Sequence, residues 1–150
     1  MTHFDEPVSR VMETEVVTLQ REDRLDLAED IMRLGRIRHV PVLEGDRVVG
    51  VLSNRDLLAA SLSRALEFDP AERRTFIRSV EVKEVMTATV ETIPEDALLR
   101  EAGRTMLRLR IGCLPVVDGS GAFRGLLTET DLLRVALEAD DEEDAVVVSE

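Results

Sequence analysis

The feature that most restricts what this chain can fold into is that it states one pattern twice. Residues 50–58 read GVLSNRDLL and residues 125–133 read GLLTETDLL. Upstream, Val11-Met12, Val16, Thr18, Leu25, Ala28, Met32, Arg36-Ile37 and Pro41-Val42 recur 74 positions later as Val85-Met86, Val90, Thr92, Leu99, Ala102, Met106, Arg110-Ile111 and Pro115-Val116. Beyond the second Pro-Val the offset is 75, because the loop between Val117 and Gly125 carries one extra residue, a slip that a surface turn absorbs. The period exceeds that of solenoid repeats and two copies are too few for a stacked array, so the sequence predicts a small domain duplicated into a pseudo-twofold pair.

Periodicity gives each copy the same order: strand, helix, strand, strand, helix. In copy one, residues 16–19 (VVTL) are a β-like run, Asp23 stands where it could cap a helix faced by Leu25, Ala28, Ile31 and Met32, and the helix should end near Gly35. Residues 40–43 and 47–53 read as a hairpin across Glu-Gly-Asp, with a second helix beginning near Ser53. Copy two repeats this with strands at 90–93, 114–117 and 123–128 and a helix faced by Leu99, Ala102, Met106 and Leu109. The expected class is α/β (α+β), each sheet burying one face beneath two helices. Residues 1–66 form the first repeat with its core at 8–58, 67–81 a linker, 82–137 the second repeat and 138–150 an acidic tail. Leu58, Leu62 and Leu66 would prolong the last helix of copy one, and after Pro70 residues 71–80 can form a further helix bearing Phe76, Ile77 and Val80. Phe4, Phe68 and Phe76 fall outside the repeated positions and are expected to pack across the pair, or to offer an aromatic surface. The methionines at 12, 32, 86 and 106 are packing residues.

Composition narrows the function. A chain of 150 residues with 44% hydrophobic content can build a core. It has no apolar run of membrane-spanning length and an acidic start unlike a signal peptide, so a cytoplasmic, non-membrane protein is expected. Of the 31 acids, seven (Glu138, Asp140, Asp141, Glu142, Glu143, Asp144, Glu150) crowd the last 13 residues; the remaining 24 against 19 bases leave the body at −5. That balance lacks the basic footprint of a nucleic-acid binder. The tail reads as a solubilising end, with a docking role the alternative. One cysteine, Cys113, and two histidines, His3 and His39, offer neither a disulfide nor a metal set. There is no P-loop, GxGxxG or repeated nucleophile-histidine pair, so the chain is not read as an enzyme.

Ser53 and Thr128 sit where a strand gives way to a helix, with Asp56 and Asp131 three positions on. A capping box accounts for that spacing by itself. It does not account for the same phrase recurring beside the same Pro-Val strand. Taken in order and twice, the pattern V-M-x(3)-V-x-T, I-x-x-x-P-V and G-h-h-S/T-x-x-D-h-h, with h apolar, resembles the CBS-domain family, named after cystathionine β-synthase. The resemblance covers residues 8–135. It implies a Bateman module: two β-α-β-β-α units joined at their sheets, with clefts for an adenosyl ligand such as AMP, ADP, ATP or S-adenosylmethionine. In the family the Asp holds ribose hydroxyls and the Ser/Thr helps place ribose or phosphate, and free helix-terminal N–H groups would favour phosphate too.

On that pattern the first site takes Ile37, Arg38, His39, Pro41, Val51, Ser53, Arg55 and Asp56. The second takes Ile111, Gly112, Cys113, Pro115, Leu126, Thr128 and Asp131. Val51 and Leu126 would wall the adenine. Arg36, Arg38, His39 and Arg55 suit phosphate, whereas Gly112, Cys113 and Glu129-Thr130 do not, so the second site should be empty, weak or selective for a less anionic adenosyl ligand. His39 is equally readable as a structural hydrogen-bonder, and Cys113 as a small buried residue. The resemblance implies a stand-alone, energy-sensing regulator that dimerises through helices and signals to a protein partner; the alternative is a ligand-free dimerisation scaffold.

Overall fold

The computed structural model describes residues 3–62, 69–88 and 90–138. They form two compact units: a first unit, Val16–Val90, and a second made from Met1–Glu15 together with Glu91–Glu150. These units are offset from the sequence repeats, because the segment leading into each copy folds with the other copy's sheet.

The first unit contains β1 (Leu19–Gln20), α1 (Leu25–Gly35), β2 (His39–Glu44), β3 (Arg47–Ser53), α2 (Asn54–Leu62) and α3 (Pro70–Ser79). The second contains β4 (Ile93–Pro94), α4 (Leu99–Leu109), β5 (Cys113–Val117), β6 (Phe123–Thr128) and α5, residues 129–138. Each has a three-stranded sheet, β1-β2-β3 or β4-β5-β6, whose short first strand is parallel to the middle one and whose last two form an antiparallel hairpin. The β-branched alternation predicted those hairpins, and Gly45 turns the first with φ 63°. One sheet face carries Val40, Val42 and Leu52, all fully buried against Leu25, Ala28 and Met32 of α1. Leu114, Val116 and Leu127 do the same against Leu99, Ala102 and Met106 of α4.

Several local expectations need correcting. The first strands form at Leu19–Gln20 and Ile93–Pro94 rather than across 16–19 and 90–93. Val17 is half exposed, and the parallel pairing spans only the partners of Val42 and Leu43. Asp23 does not cap α1: its carboxylate accepts the Gln20 N–H at 2.7 Å, closing the turn after β1. The first N–H of α1, at Leu25, donates instead to the Val80 carbonyl at 3.0 Å, and in the second unit Leu99 N–H donates to the Glu6 carbonyl at 2.9 Å. Thus the leading segment of the opposite copy supplies each helix with its cap. Both helices end on a left-handed arginine, Arg36 (φ 52°) and Arg110 (φ 56°), one residue past the predicted glycine stop in α1. Leu109, expected on the buried stripe, is exposed in the last turn.

The leading segments enter the cores. Val82 is fully buried in the first unit with Val85 and Met86 packed beside it, and Val8 is fully buried in the second with Val11 and Met12. Helix α3 starts at Pro70, one residue earlier than expected, because Asp69 accepts the Glu72 N–H at 2.9 Å and Pro70 sits at a position that needs no donor. Ile77 anchors it to the first core. Phe4 packs on the second core and Phe76 is half-buried in the first unit. The expected continuation through Leu66 and Phe68, and the tail beyond 138, lie outside the described residues.

Candidate functional site

The antiparallel register gathers the predicted residues into cross-strand pairs. In the first unit His39 lies opposite Ser53 and Pro41 opposite Val51. Residues two apart along a strand share a face, so these four form one patch on the face away from the helices. In the second unit Cys113 faces Thr128 and Pro115 faces Leu126 in the same arrangement.

At the ends of β3 and β6 the strand-to-helix phrase folds as a reciprocal cap. The Ser53 hydroxyl accepts the Asp56 N–H at 3.0 Å and the Asp56 carboxylate accepts the Ser53 N–H at 3.0 Å. In the second unit Asp131 Oδ2 accepts the Thr128 N–H at 2.9 Å and its hydroxyl at 3.0 Å, while Thr128 Oγ1 accepts the Asp131 N–H at 3.3 Å. Each helix start is also tied backward: Asn54 N–H to the Arg38 carbonyl at 2.8 Å, and Glu129 N–H to the Gly112 carbonyl at 3.1 Å. The helix-terminal N–H groups expected to receive phosphate are thereby partly used within the fold. Any phosphate must be met mainly by side chains.

The two carboxylates differ in availability. Asp56 is half-buried, and among the described residues no hydrogen bond falls on its Oδ1. Asp131 is 2% exposed, with Arg134 at 3.6 Å from its Oδ1. Arg55 is exposed, while Ile37 and Arg38 line a hollow of about 440 Å³ on the helix side, shared with Met32, Arg36, Asn54 and Arg73. Ile111 lines the counterpart hollow of about 680 Å³, where Leu107 and Leu133 replace Arg33 and Leu58 and Gly103 replaces Glu29. Burial, with Glu129 nearby, pushes the Cys113 thiol up to about 12, so it stays a neutral packing residue at physiological pH.

Sequence reasoning missed two residues that the fold brings to these caps. The Thr87 backbone pairs with Val51, and its hydroxyl lies 3.4 Å from Asp56 Oδ2. Glu13 pairs with Leu126 at the equivalent place beside Asp131. Burial, then Asp131, holds the Glu13 carboxyl above the usual carboxylate range, with Arg134 offsetting part of the effect. The signal was present: positions 13 and 87 are 74 apart, but Glu and Thr do not match, so a search for recurring residues passes over them.

The CBS domain family model matches residues 8–63 and 82–138. A CBS domain-containing protein of Dictyostelium discoideum is 29% identical over 127 residues, 84% of this chain and 88% of that one. The crystal structure of a Vibrio cholerae protein assigned to acetoin utilization (AcuB) superposes with TM-score 0.76 and 30% identity, covering 93% of this chain and 96% of that one. CBSX2, solved in complex with AMP, gives TM-score 0.73 and 25% identity over 89% of this chain and 97% of that one. Inosine-5′-monophosphate dehydrogenases also match, but the chain spans only 21–22% of the length of the first three. The chain belongs to the CBS domain family, of which it carries two copies.

Proposed function

We propose that this chain is a regulatory sensor: an adenosyl ligand, with AMP, ADP and ATP the first candidates, occupies the His39–Ser53–Asp56 patch of the first unit, and a protein partner reads the resulting change. The observation that carries the reading is the half-buried Asp56, oriented by its cap on Ser53, with one carboxylate oxygen left for ribose hydroxyls beside His39. The likeness to CBSX2, whose structure holds AMP, supports the choice of ligand class. Arg55 is within the same helical turn and suits a phosphate. A ligand can shift the chain's conformation only by the difference in its affinity for the two states, so signalling requires that bound and free forms differ at this patch.

Thermal unfolding with AMP, ADP, ATP and S-adenosylmethionine tests the reading. A ligand at ~100 times its Kd should raise Tm by roughly 5–10 °C. Asp56→Asn, which keeps an oxygen for the cap, should abolish the shift seen with AMP, while Asp131→Asn should retain it. No shift with any compound would leave the second reading, a dimerisation scaffold. That reading draws on exposed leucines within each unit, Leu34 and Leu58 of α1 and α2 in the first and Leu107, Leu133 and Leu137 of α4 and α5 in the second, apolar helix surfaces suited to a second copy of the chain.

A further inference from the structure

Glycine inside a helix is unfavourable unless something requires its bare backbone, and packing makes no such demand at Gly103, in the middle of α4. A Cβ there would meet one neighbour, Leu132 Cδ1, at the ordinary contact distance of 3.7 Å. What the missing side chain leaves is room. Gly103 lines the hollow of about 680 Å³ in the second unit, together with Phe4, Leu107, Ile111, Leu132 and Leu133.

The corresponding hollow of the first unit is polar, with Glu29, Arg33, Arg36, Arg38 and Arg73 in its wall, whereas Arg110 and Glu129 alone bring charge to this one. Leu107 is 80% exposed and Leu133 61%, and large apolar side chains gathered around a hollow mark a surface that binds something. Beside it runs a row of cations. Arg104 and Arg108 each follow a residue of the hollow, Gly103 and Leu107, and stand one helical turn apart, with Arg110 just beyond. All three are exposed, and among the described residues no ion pair falls on any of them.

The sequence that follows α5 carries the complement of both features. Five consecutive acids, Asp140 to Asp144, precede Ala145, Val146, Val147 and Val148. The acids suit a solubilising segment, but three successive valines are what such a segment leaves out. From Glu138 to Val146 the chain can reach roughly 26 Å when extended, against roughly 7.5 Å along α5 from Glu138 back to Leu133, so it is long enough to double back.

We propose that residues 139–150 form an intramolecular strap on the second unit, with Val146, Val147 and Val148 in the hollow between α4 and α5 and the preceding acids along Arg104, Arg108 and Arg110. A second copy of the chain docked symmetrically through this face would bring the same three cations from each side, whereas the strap neutralises them. The assignment does not depend on an adenosyl ligand.

Amide NMR spectra of the full chain, of the chain truncated after Glu138 and of the triple variant Val146→Ser, Val147→Ser, Val148→Ser test it, with far-UV circular dichroism as the check that each is folded. Both changes should move the resonances of Gly103, Leu107 and Leu133, leave those of α1 in place, and raise the fluorescence of an apolar dye severalfold. A synthetic peptide of residues 139–150 added to the truncated chain should reverse both signals. Arg104→Glu combined with Arg108→Glu should weaken that peptide severalfold at low salt, and the difference should vanish near 1 M salt, where screening acts within ~3 Å. Gly103→Leu fills the hollow from its own wall and should abolish peptide binding while keeping or raising Tm. Resonances of Gly103, Leu107 and Leu133 that coincide in all three proteins would overturn the proposal. So would shifts at those residues that grow with protein concentration and persist after truncation, an outcome that gives the hollow to a second copy.

Discussion

Gly50 and Gly125 open the repeated phrase for a steric reason that becomes visible only in the folded units. A Cβ at Gly125 would sit 2.5 Å from the Glu13 carbonyl oxygen, and one at Gly50 would strike the Met86 sulfur. The glycines let the leading segments lie flat on β6 and β3 and make the bridges that bring Glu13 and Thr87 to the caps. Backbone stands in the way at Gly125 and a flexible side chain at Gly50. Gly125→Ala should therefore cost about 1–3 kcal/mol in chemical denaturation and Gly50→Ala less. Equal losses would show that Met86 cannot move aside. At this scale the aspartates of the caps were legible from spacing, because a box needs its carboxylate three residues past its hydroxyl. Glu13 and Thr87 were not, since their role comes from a contact between chain segments that no local pattern encodes.

Among the elements, the hairpins, α1, α4 and α3 were readable because their periodicity and turn residues act over a few residues. The short first strands were not. Leu19–Gln20 and Ile93–Pro94 exist as strands only where β2 and β5 offer a partner, and the β-branched residues before them stay partly exposed. The start of α1 was misplaced onto Asp23 for a similar reason: its cap is the Val80 carbonyl, more than 50 residues away in sequence, which frees Asp23 to close the preceding turn. Helix α3, which leads the chain to that carbonyl, depends on local chemistry. Asp69→Ala removes its side-chain cap and should cost about 1 kcal/mol, with faster amide exchange in residues 70–75 than in α1. Uniform exchange across both helices would indicate that α3 is held by Ile77 alone.

For the whole molecule, the offset between sequence copies and folded units has practical force. The first unit is one continuous stretch, Val16–Val90, whereas the second joins the start of the chain to the segment that begins at Glu91. Residues 16–90 expressed alone should give cooperative unfolding, and residues 82–150 alone should not, because Val8, Val11 and Met12 are missing from their core. Rescue of the latter by adding a peptide of residues 1–15 would confirm the division, and a cooperatively folded 82–150 would refute it. A chain cut between the two copies would hold a sheet edge with nothing to cover it and a leading segment with no edge to cover. Two such halves could satisfy each other only by trading those segments. The intact protein is, in effect, a domain-swapped dimer written on a single polypeptide.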